Sequence, residues 1–356
     1  MISVSLTNSV IFYINFVFYT NFVSYKNIEG LKISYIPGGF MFTSVQASVK
    51  KITFSSKNKK QEIVIILDDQ KIESPIKNAL KDVKEYNFTY INNHKNLISA
   101  LEKIKPAFVF NTCEQAYNND TRMKLHISAL LEMLGIPYSG PSPDGFAIGY
   151  NKFIVASIAS SLCINIPAET YFDLNDPSVK IPTEFPVVIK SNLGGCLKNK
   201  VVSNAKEFQE YIEQAKQSMS DGLLVVQEFL SGDEYSVSIV GNRGNYTILP
   251  IIKMNSEKRL SEITKNDAQK IIDASIKMFE RTGCRDYAQF DFRVDDNGQI
   301  KLIKVIPSPD LSLNSTFTRV AKMNGMTYAA MLELILKASR QRYIFSEVSD
   351  EKPLEL

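Results

Sequence analysis

Beyond its first sixty residues, the chain alternates short apolar runs with segments of helical periodicity, and this alternation limits the folds that it can adopt. Residues 62–69 (EIVIILDD) form a continuous apolar run that ends in two acidic residues, as is typical of a buried parallel strand. Ser74-Pro75 supplies an N-cap and a first position for the helix that follows. A helix over 97–104 and a strand over 107–111 repeat the unit. The pattern predicts a three-layer α/β domain with a parallel sheet over residues 61–148.

The second half of the chain has a different pattern, because strands there follow one another through short connections. Helices are predicted near 152–162 and 205–217, and strands near 185–190, 223–229, 234–241, 289–294 and 299–305. Asn297-Gly298 joins the last two strands and is typical of a two-residue type I′ hairpin turn. This turn fixes a register in which residue 291 faces residue 304 and residue 289 faces residue 306. The second half is therefore predicted to be α+β.

Composition excludes several classes of function. The 356 residues include 41 basic and 38 acidic side chains, and the resulting net charge of +3 is too small to predict a nucleic-acid-binding surface. Only two histidines are present and the four cysteines lack C-x-x-C spacing, so zinc sites, Ser/Cys–His triads and thioredoxin-like chemistry are not expected. Dispersed cysteines are typical of the reducing cytosol, which predicts a cytoplasmic location. The P-loop, GxSxG and GxGxxG motifs are absent from the sequence.

Residues 1–60 differ from the rest of the chain. The run over 9–25 (SVIFYINFVFYTNFVSY) is apolar and aromatic, but it is shorter than the ~20 residues of a spanning helix and no basic segment precedes it. A membrane anchor, an uncleaved signal, a strand hairpin and sequence outside the functional protein remain alternatives, and membrane anchoring is the minor one. Residues 50–60 (KKITFSSKNKK) are basic and polar, as in a linker. We assign residues 1–60 no role.

Six sequence stretches occur in one order along the chain, although each of them alone is a weak signal. They are VFNTCEQ (109–115), LLEMLGIPYSGPSP (130–143), FPVVIKSNLGG (185–195), VVQEFLSGDEYSVSIVGN (225–242), CRDYAQFDFRVDDNGQ (284–299) and PSPDLSLNSTFTRVAKMNG (307–325). In this order they resemble the D-alanine–D-alanine ligase family of the ATP-grasp superfamily. The resemblance implies that the α/β domain over 61–148 is followed by two α+β ATP-grasp subdomains, over 149–228 and 229–343, and by a tail over 344–356.

The resemblance also implies a reaction. Members of the family are ATP-dependent ligases that phosphorylate a carboxylate and let an amine attack the acyl phosphate, which requires mostly positioning and electrostatic stabilisation of the phosphoryl group. The expected cofactor is ATP and the expected partners are small molecules, amino acids or dipeptide-like compounds. The family is often homodimeric, which makes a homodimer an expectation here as well.

The resemblance assigns nine residues to ATP and two to the other substrates. The nucleotide residues are Lys152, Lys190, Gly194, Gly195, Gln227, Glu228, Phe229, Leu230 and Glu234. Two lysines from different elements suit the phosphate charges, the glycines let backbone N–H groups approach phosphate, residues 227–230 would read adenine, and Glu234 would hold the ribose. Cys196 and Leu197 replace the serines that follow the family's loop glycine. Glu114 and Ser315 would bind substrate, with a helix N-cap as the alternative for Ser315.

The metal site departs most from the family. The family carries a catalytic arginine and an aspartate on one strand, with a glutamate and an asparagine on the next, and only Asp291 is kept. Gln289 replaces the arginine, and Lys304 and Ile306 replace the other two metal ligands. Since Mg²⁺ prefers octahedral oxygen ligands, a lysine that faces Asp291 predicts an ion pair instead of a metal ion.

These departures leave the activity open. The loop after residue 253 is also shorter than in the family, which removes a lysine that contacts phosphate and a lid that excludes water. We assign no catalytic residue and expect little or no Mg²⁺ binding. The sequence predicts a protein of ligase descent with impaired catalysis, and the alternative is a nucleotide-binding pseudoenzyme or regulatory protein without turnover.

Overall fold

A computed structural model of the chain describes residues 60–67, 70–113, 117–120, 123–176, 181–193, 199–218, 222–254 and 263–347. The N-terminal segment over 1–59 and the residues from 348 onward lie outside the described residues, and so do Glu114, Gly194, Gly195, Cys196 and Leu197. In the part that the structure describes, no helix is long and apolar enough to cross a membrane.

The first sheet has three parallel strands in the order β2-β1-β3. They are β1 (Gln61–Ile66), β2 (Tyr86–Ile91) and β3 (Phe108–Asn111), and the accompanying helices are α1 (Gln70–Leu80), α2 (Leu97–Ile104) and α3 (His126–Met133). Both faces of β1 are buried, because Ile63 and Ile65 pack into one hydrophobic cluster while Val64 and Ile66 pack into another. Burial on both faces explains why this strand reads as an uninterrupted apolar run.

Helix α1 begins earlier than the sequence predicted. It starts at Gln70 and contains Pro75 in its interior, so the expected N-cap at Ser74 is wrong. An interior proline removes one helical hydrogen bond and costs about 3 kcal/mol. Ile76 and Leu80 are fully buried in the core, and their tertiary packing outweighs this local penalty.

The second sheet is antiparallel, with the strand order β4-β7-β5-β6. Its strands are β4 (Glu169–Asp173), β5 (Val187–Ser191), β6 (Lys200–Val202) and β7 (Leu223–Glu228), and the helices of this region are α4 (Pro143–Tyr150), α5 (Lys152–Ser161) and α6 (Ala205–Ser218). Phe208 and Ile212 of α6 pack against the buried side chains of this sheet. The sheet lies within the predicted central subdomain.

The third sheet, also antiparallel, has the order β10-β8-β11-β12, with β9 paired to β8. Its strands are β8 (Glu234–Asn242), β9 (Asn245–Ile248), β10 (Ile252–Lys253), β11 (Asp286–Val294) and β12 (Ile300–Ile306), followed or accompanied by α7 (Lys265–Arg281), α8 (Thr316–Met323) and α9 (Tyr328–Glu347). Although β7 and β8 are neighbours in sequence, they belong to different sheets. The segment 229–233 therefore connects the second sheet to the third, and we call it the connector.

The hairpin between β11 and β12 confirms the predicted register through a different turn. Asp295 N–H donates to the Gln299 carbonyl at 2.9 Å, and within this turn only Gly298 has a positive φ, of 76°. These features define a three-residue loop, and the predicted two-residue type I′ turn is wrong. An irregularity between Asp291 and Phe292 restores the alignment, so that Asp291 faces Lys304 and residue 289 faces residue 306 as predicted.

Candidate functional site

A cleft of about 650 Å³ is lined by residues of the second sheet, the connector, the third sheet and the start of α8. Its lining includes most of the residues that the sequence assigned to the site: Lys190, Gln227, Glu228, Phe229, Leu230, Glu234, Gln289, Asp291, Lys304, Ile306 and Ser315. The fold thus gathers side chains from five separate sequence stretches around one cavity. Arg293 and Asp310 also line it, and the sequence analysis did not identify them.

Lys152 lies beside the cleft and is not among the residues that line it. Its ammonium group donates to the carbonyl oxygens of Ser191 at 2.6 Å and Asn192 at 3.2 Å. The side chain therefore ties the start of α5 to the end of β5. Burial, with the charges of Lys190 and Lys304, lowers the pKa of Lys152 to about 8. Its contact with ATP remains a prediction.

Lys190 belongs to a hydrogen-bonded chain on the wall of the cleft. Its Nζ donates to Gln227 Oε1 at 2.6 Å, and Gln227 Nε2 donates to Glu169 Oε2 at 2.8 Å. The Tyr171 hydroxyl donates to the other oxygen of Glu169. Burial lowers the pKa of Lys190 to about 8, while the negative charge of Glu169 opposes this effect. Glu169 was missed by the sequence analysis.

The connector is fastened to the hairpin of the third sheet. The carboxylate of Glu228, just before the connector, accepts hydrogen bonds from the Lys301 ammonium group and, at 3.0 Å, from the backbone N–H of Ala168. Gly232 N–H donates to the Val294 carbonyl at 3.1 Å. The Glu228 carboxylate is therefore already paired and holds this segment in place. No local sequence pattern identifies Lys301.

Glu234 and Arg293 form a loose pair on the floor of the cleft. Arg293 Nη1 lies 3.9 Å from Glu234 Oε2, and Arg293 Nε donates to the Gly232 carbonyl at 3.1 Å. The guanidinium group also lies over the Phe229 ring, 5.9 Å from its centroid. Burial, together with the nearby carboxylate of Asp291, raises the pKa of Glu234.

Asp291 is buried and is bound by Gln289 instead of Lys304. Gln289 Nε2 donates to Asp291 Oδ1 at 2.9 Å, and no ion pair joins Asp291 to Lys304, whose side chain is exposed. The expected ion pair is therefore wrong, even though the backbone register is right. A strand register fixes the positions of two Cβ atoms, whereas a long lysine stem can carry its ammonium group out to water. Burial raises the pKa of Asp291, and the hydrogen bond from Gln289 opposes this shift.

The donor set around Asp291 does not fit a divalent cation. One oxygen of its carboxylate is used by an amide N–H, and the facing positions hold a cationic lysine and an apolar isoleucine. Among the described residues, no group of three or more His, Cys, Asp or Glu side chains could hold a metal ion. Mg²⁺ needs several oxygen ligands in near-octahedral geometry, and this face of the hairpin does not supply them.

Ser315 acts as the N-cap of α8. Its Oγ accepts a hydrogen bond from the Thr318 N–H at 3.2 Å and donates to Thr318 Oγ1 at 3.1 Å. The N-cap alternative for this residue is therefore confirmed. The same serine also lines the cleft, and its contact with a substrate remains a prediction.

Comparisons with known proteins agree with this architecture. Residues 175–337 match a family model described as D-ala D-ala ligase C-terminus. The D-alanine–D-alanine ligase of Carboxydothermus hydrogenoformans is 28% identical over 282 residues, which cover 71% of this chain and 88% of that protein. The corresponding ligase of Aquifex aeolicus is 27% identical over 260 residues, covering 68% and 86%.

Solved structures give the same result for the fold. The D-alanine–D-alanine ligase of Bacillus anthracis complexed with ATP superposes with a TM-score of 0.66 at 21% identity, covering 82% of this chain and all of that chain. The ligase of Coxiella burnetii gives a TM-score of 0.64 at 15% identity, covering 81% and 96%. The fold of this chain is therefore the ATP-grasp fold of these structures. The resemblance predicted from the six motifs is confirmed: the chain is similar to D-alanine–D-alanine ligases in sequence and in fold.

Proposed function

We propose that this protein binds ATP without a protein-bound divalent cation and that its inherited carboxylate–amine ligase reaction is impaired. The observation that carries the proposal is the contrast between two groups of residues that line one cleft. Lys190, the connector and Glu234 supply the charges and backbone groups that a nucleotide needs, whereas Asp291 is bound by Gln289 opposite Lys304. The domain limits 61–148, 149–228 and 229–343 belong to the same proposal.

Nucleotide binding is supported by the charges of the cleft. ATP carries several negative charges, and Lys190, Arg293 and Lys304 all line the cavity, with Lys152 beside it. The exposed Lys304 has no ion-pair partner among the described residues, so its charge is available to a phosphate group. Lysine and arginine can neutralise phosphate charge in place of a metal ion, although they do not reproduce its geometry.

Impaired catalysis is supported by the residues that replace the reaction centre. Removing one electrostatic stabiliser of a reaction centre typically lowers the rate ~10²–10³-fold, by analogy with oxyanion-hole deletions. Here Gln289, Lys304 and Ile306 stand at three such positions. Their effects are not additive, because the residues act as one unit, but together they leave little activity. Small amino-acid-like carboxylates and amines are the substrates to test.

The experiment compares the wild-type chain with a variant that carries Gln289→Arg, Lys304→Glu and Ile306→Asn. Amine-dependent ADP release is measured with ATP, Mg²⁺ and a panel of amino acids that includes D-alanine. We expect no release above background from the wild type and a gain in the triple variant. A control carries Lys206→Glu, which makes the same charge change as Lys304→Glu but on the exposed face of α6. Amine-dependent turnover by the wild-type protein would refute the proposed impairment.

A further inference from the structure

The chain of hydrogen bonds behind Lys190 has a fixed polarity. A carboxylate only accepts hydrogen bonds and an ammonium group only donates them, and Gln227 lies between one of each. Its amide must therefore turn its NH₂ group to Glu169 and its carbonyl oxygen to Lys190. The opposite orientation would set a donor against a donor and an acceptor against an acceptor.

The backbone places these groups on one face of the second sheet. Glu169 on β4 faces Gln227 on β7, and Val188 on β5 faces Gln227 from the other side. Lys190 is two residues further along β5, so it lies diagonally across from Gln227 on the same face. The Tyr171 hydroxyl donates to the Glu169 oxygen that does not bind Gln227. The relay thus runs from the edge strand to the cleft wall.

We propose that Glu169 is a positioning residue of the cleft, which fixes the Gln227 amide so that Gln227 holds the Lys190 ammonium group where it binds an anionic group of the nucleotide. This inference rests on the proposed nucleotide function of the cleft. Glu169 does not line the cleft itself and acts through Gln227. Its negative charge also favours the protonated form of Lys190, which is the form that binds an anion.

The charged groups that act on Lys190 come from five elements: Glu169 on β4, Lys152 on α5, Glu234 on β8, Arg293 on β11 and Lys304 on β12. The three cations and burial favour loss of its proton, and the two acids oppose this loss. Glu169 is the larger of the two acidic contributions. Its removal therefore lowers the pKa of Lys190 below the value of about 8 in the native chain.

The test uses Glu169→Gln, which keeps the size of the side chain, removes its charge and lets the Gln227 amide turn over. The probe is ATP in EDTA, titrated calorimetrically against the full chain from pH 6 to 9. We expect about tenfold weaker binding at neutral pH, in line with the loss of a charge-assisted hydrogen bond. As the pH is raised, the affinity for ATP should begin to fall at a lower pH in the variant than in the wild type. Glu184→Gln, on an exposed side chain of the same region, is the matched control.

A second readout does not depend on the nucleotide. The rate at which acetic anhydride labels Lys190 is followed against pH by peptide mass spectrometry, and its midpoint should be lower in Glu169→Gln. An unchanged midpoint, or unchanged ATP affinity, overturns the inference. If the wild type binds no ATP at all, the proposed function and the ligand-binding part of the inference both fall, while the labelling still decides whether Glu169 controls Lys190.

A further variant separates the hydrogen-bonded relay from the charge of Glu169. Gln227→Met removes the relay but keeps the charge of Glu169, so it should weaken ATP binding with a smaller effect on the labelling midpoint. Equal midpoints in Gln227→Met and Glu169→Gln would contradict a direct effect of the Glu169 charge. Circular dichroism of each variant shows whether the chain is folded.

Discussion

The buried carboxylate of Asp286 joins several elements, and its replacement tests how much these contacts stabilise the fold. It is completely buried and accepts hydrogen bonds from Gly140 N–H at 2.8 Å, from Asn242 Nδ2 at 2.9 Å and from two nitrogens of Arg342 at 3.0 and 3.1 Å. These partners come from the segment before α4, from β8 and from α9. One side chain thus joins the segment before α4 to the third sheet and to α9.

The expected loss in the free energy of unfolding follows from the groups that Asp286→Asn leaves without a partner. Asparagine tolerates the positive φ of 69° at this position, so the backbone conformation is kept, while the charge and one of the two acceptor oxygens are lost. The Arg342 side chain is 13% exposed and would lose its ion pair with Asp286, retaining its hydrogen bond to the Tyr138 carbonyl. Breaking a buried pair in this way costs about 3–5 kcal/mol, and the retained bond places the expected loss near the lower figure.

The assay is urea denaturation of the full chain, followed by circular dichroism. Asp286→Asn should lower the free energy of unfolding by about 3 kcal/mol with an unchanged m-value. Glu210→Gln, which removes an exposed pair with Lys206 on α6, is the control and should cost less than about 0.5 kcal/mol. A double variant with Arg342→Met should lose less than the sum of its single changes. A loss below about 1 kcal/mol for Asp286→Asn would refute the assigned role of this pair.

Three further predictions concern the cleft and its surroundings. Lys301→Met should leave the Glu228 carboxylate without its ammonium partner, which should lower the free energy of unfolding by about 1–3 kcal/mol and weaken ATP binding. An unchanged ATP affinity in calorimetry would contradict the role of this contact in holding the connector. Ser315→Ala should destabilise α8 by about 1 kcal/mol in urea unfolding, while Ser315→Asn, which keeps an N-cap, should not. In the folded state the pKa values of Lys152 and Lys190 are about 8, so the unfolded chain binds more protons than the folded one between pH 8 and about 10.5. The contribution of the two lysines to stability should therefore rise with pH in that window, while the affinity for ATP falls. Replacing both lysines by methionine should remove this rise, and a rise that persists would place its cause elsewhere.

The sequence predicted the sheets well where burial leaves a local pattern. Strand β1 is buried on both faces, so its residues 63–66 are apolar without interruption and could be recognised from the sequence alone. The start of α1 could not be predicted in this way, because Pro75 is an unfavourable interior residue whose cost is offset by the burial of Ile76 in the core. That burial depends on the packing of the whole domain.

For the hairpin that carries Asp291, one prediction was confirmed and two were wrong. Its register was predicted because alternation along two strands and the length of the connection fix which residues face each other. The turn type was wrong and was compensated by an irregularity that no local pattern marks. The predicted side-chain partner of Asp291 was also wrong, because Gln289 lies on the same face of β11 and donates to the carboxylate, which Lys304 does not contact.

The residues that the sequence missed share one property. Glu169, Arg293 and Lys301 act on groups that are 58 to 73 positions away in the sequence. Glu169 and Lys301 lie outside the six motifs, and the roles of all three residues arise only when β4, β7, the connector and the hairpin of β11 and β12 are brought together. Most of the cleft residues inside the six motifs were found because the family resemblance supplied this long-range information, whereas Arg293 and Asp310, which also lie inside motifs, were not.

We propose that the site of the divalent cation has been lost while the nucleotide cleft has been kept. Calorimetric titration of the wild-type chain with ATP, once in EDTA and once with excess Mg²⁺, separates the two possibilities. We predict binding in EDTA that Mg²⁺ does not strengthen, and an Asp291→Asn variant that binds ATP like the wild type in both buffers. Binding that requires Mg²⁺ and disappears in Asp291→Asn would contradict the account.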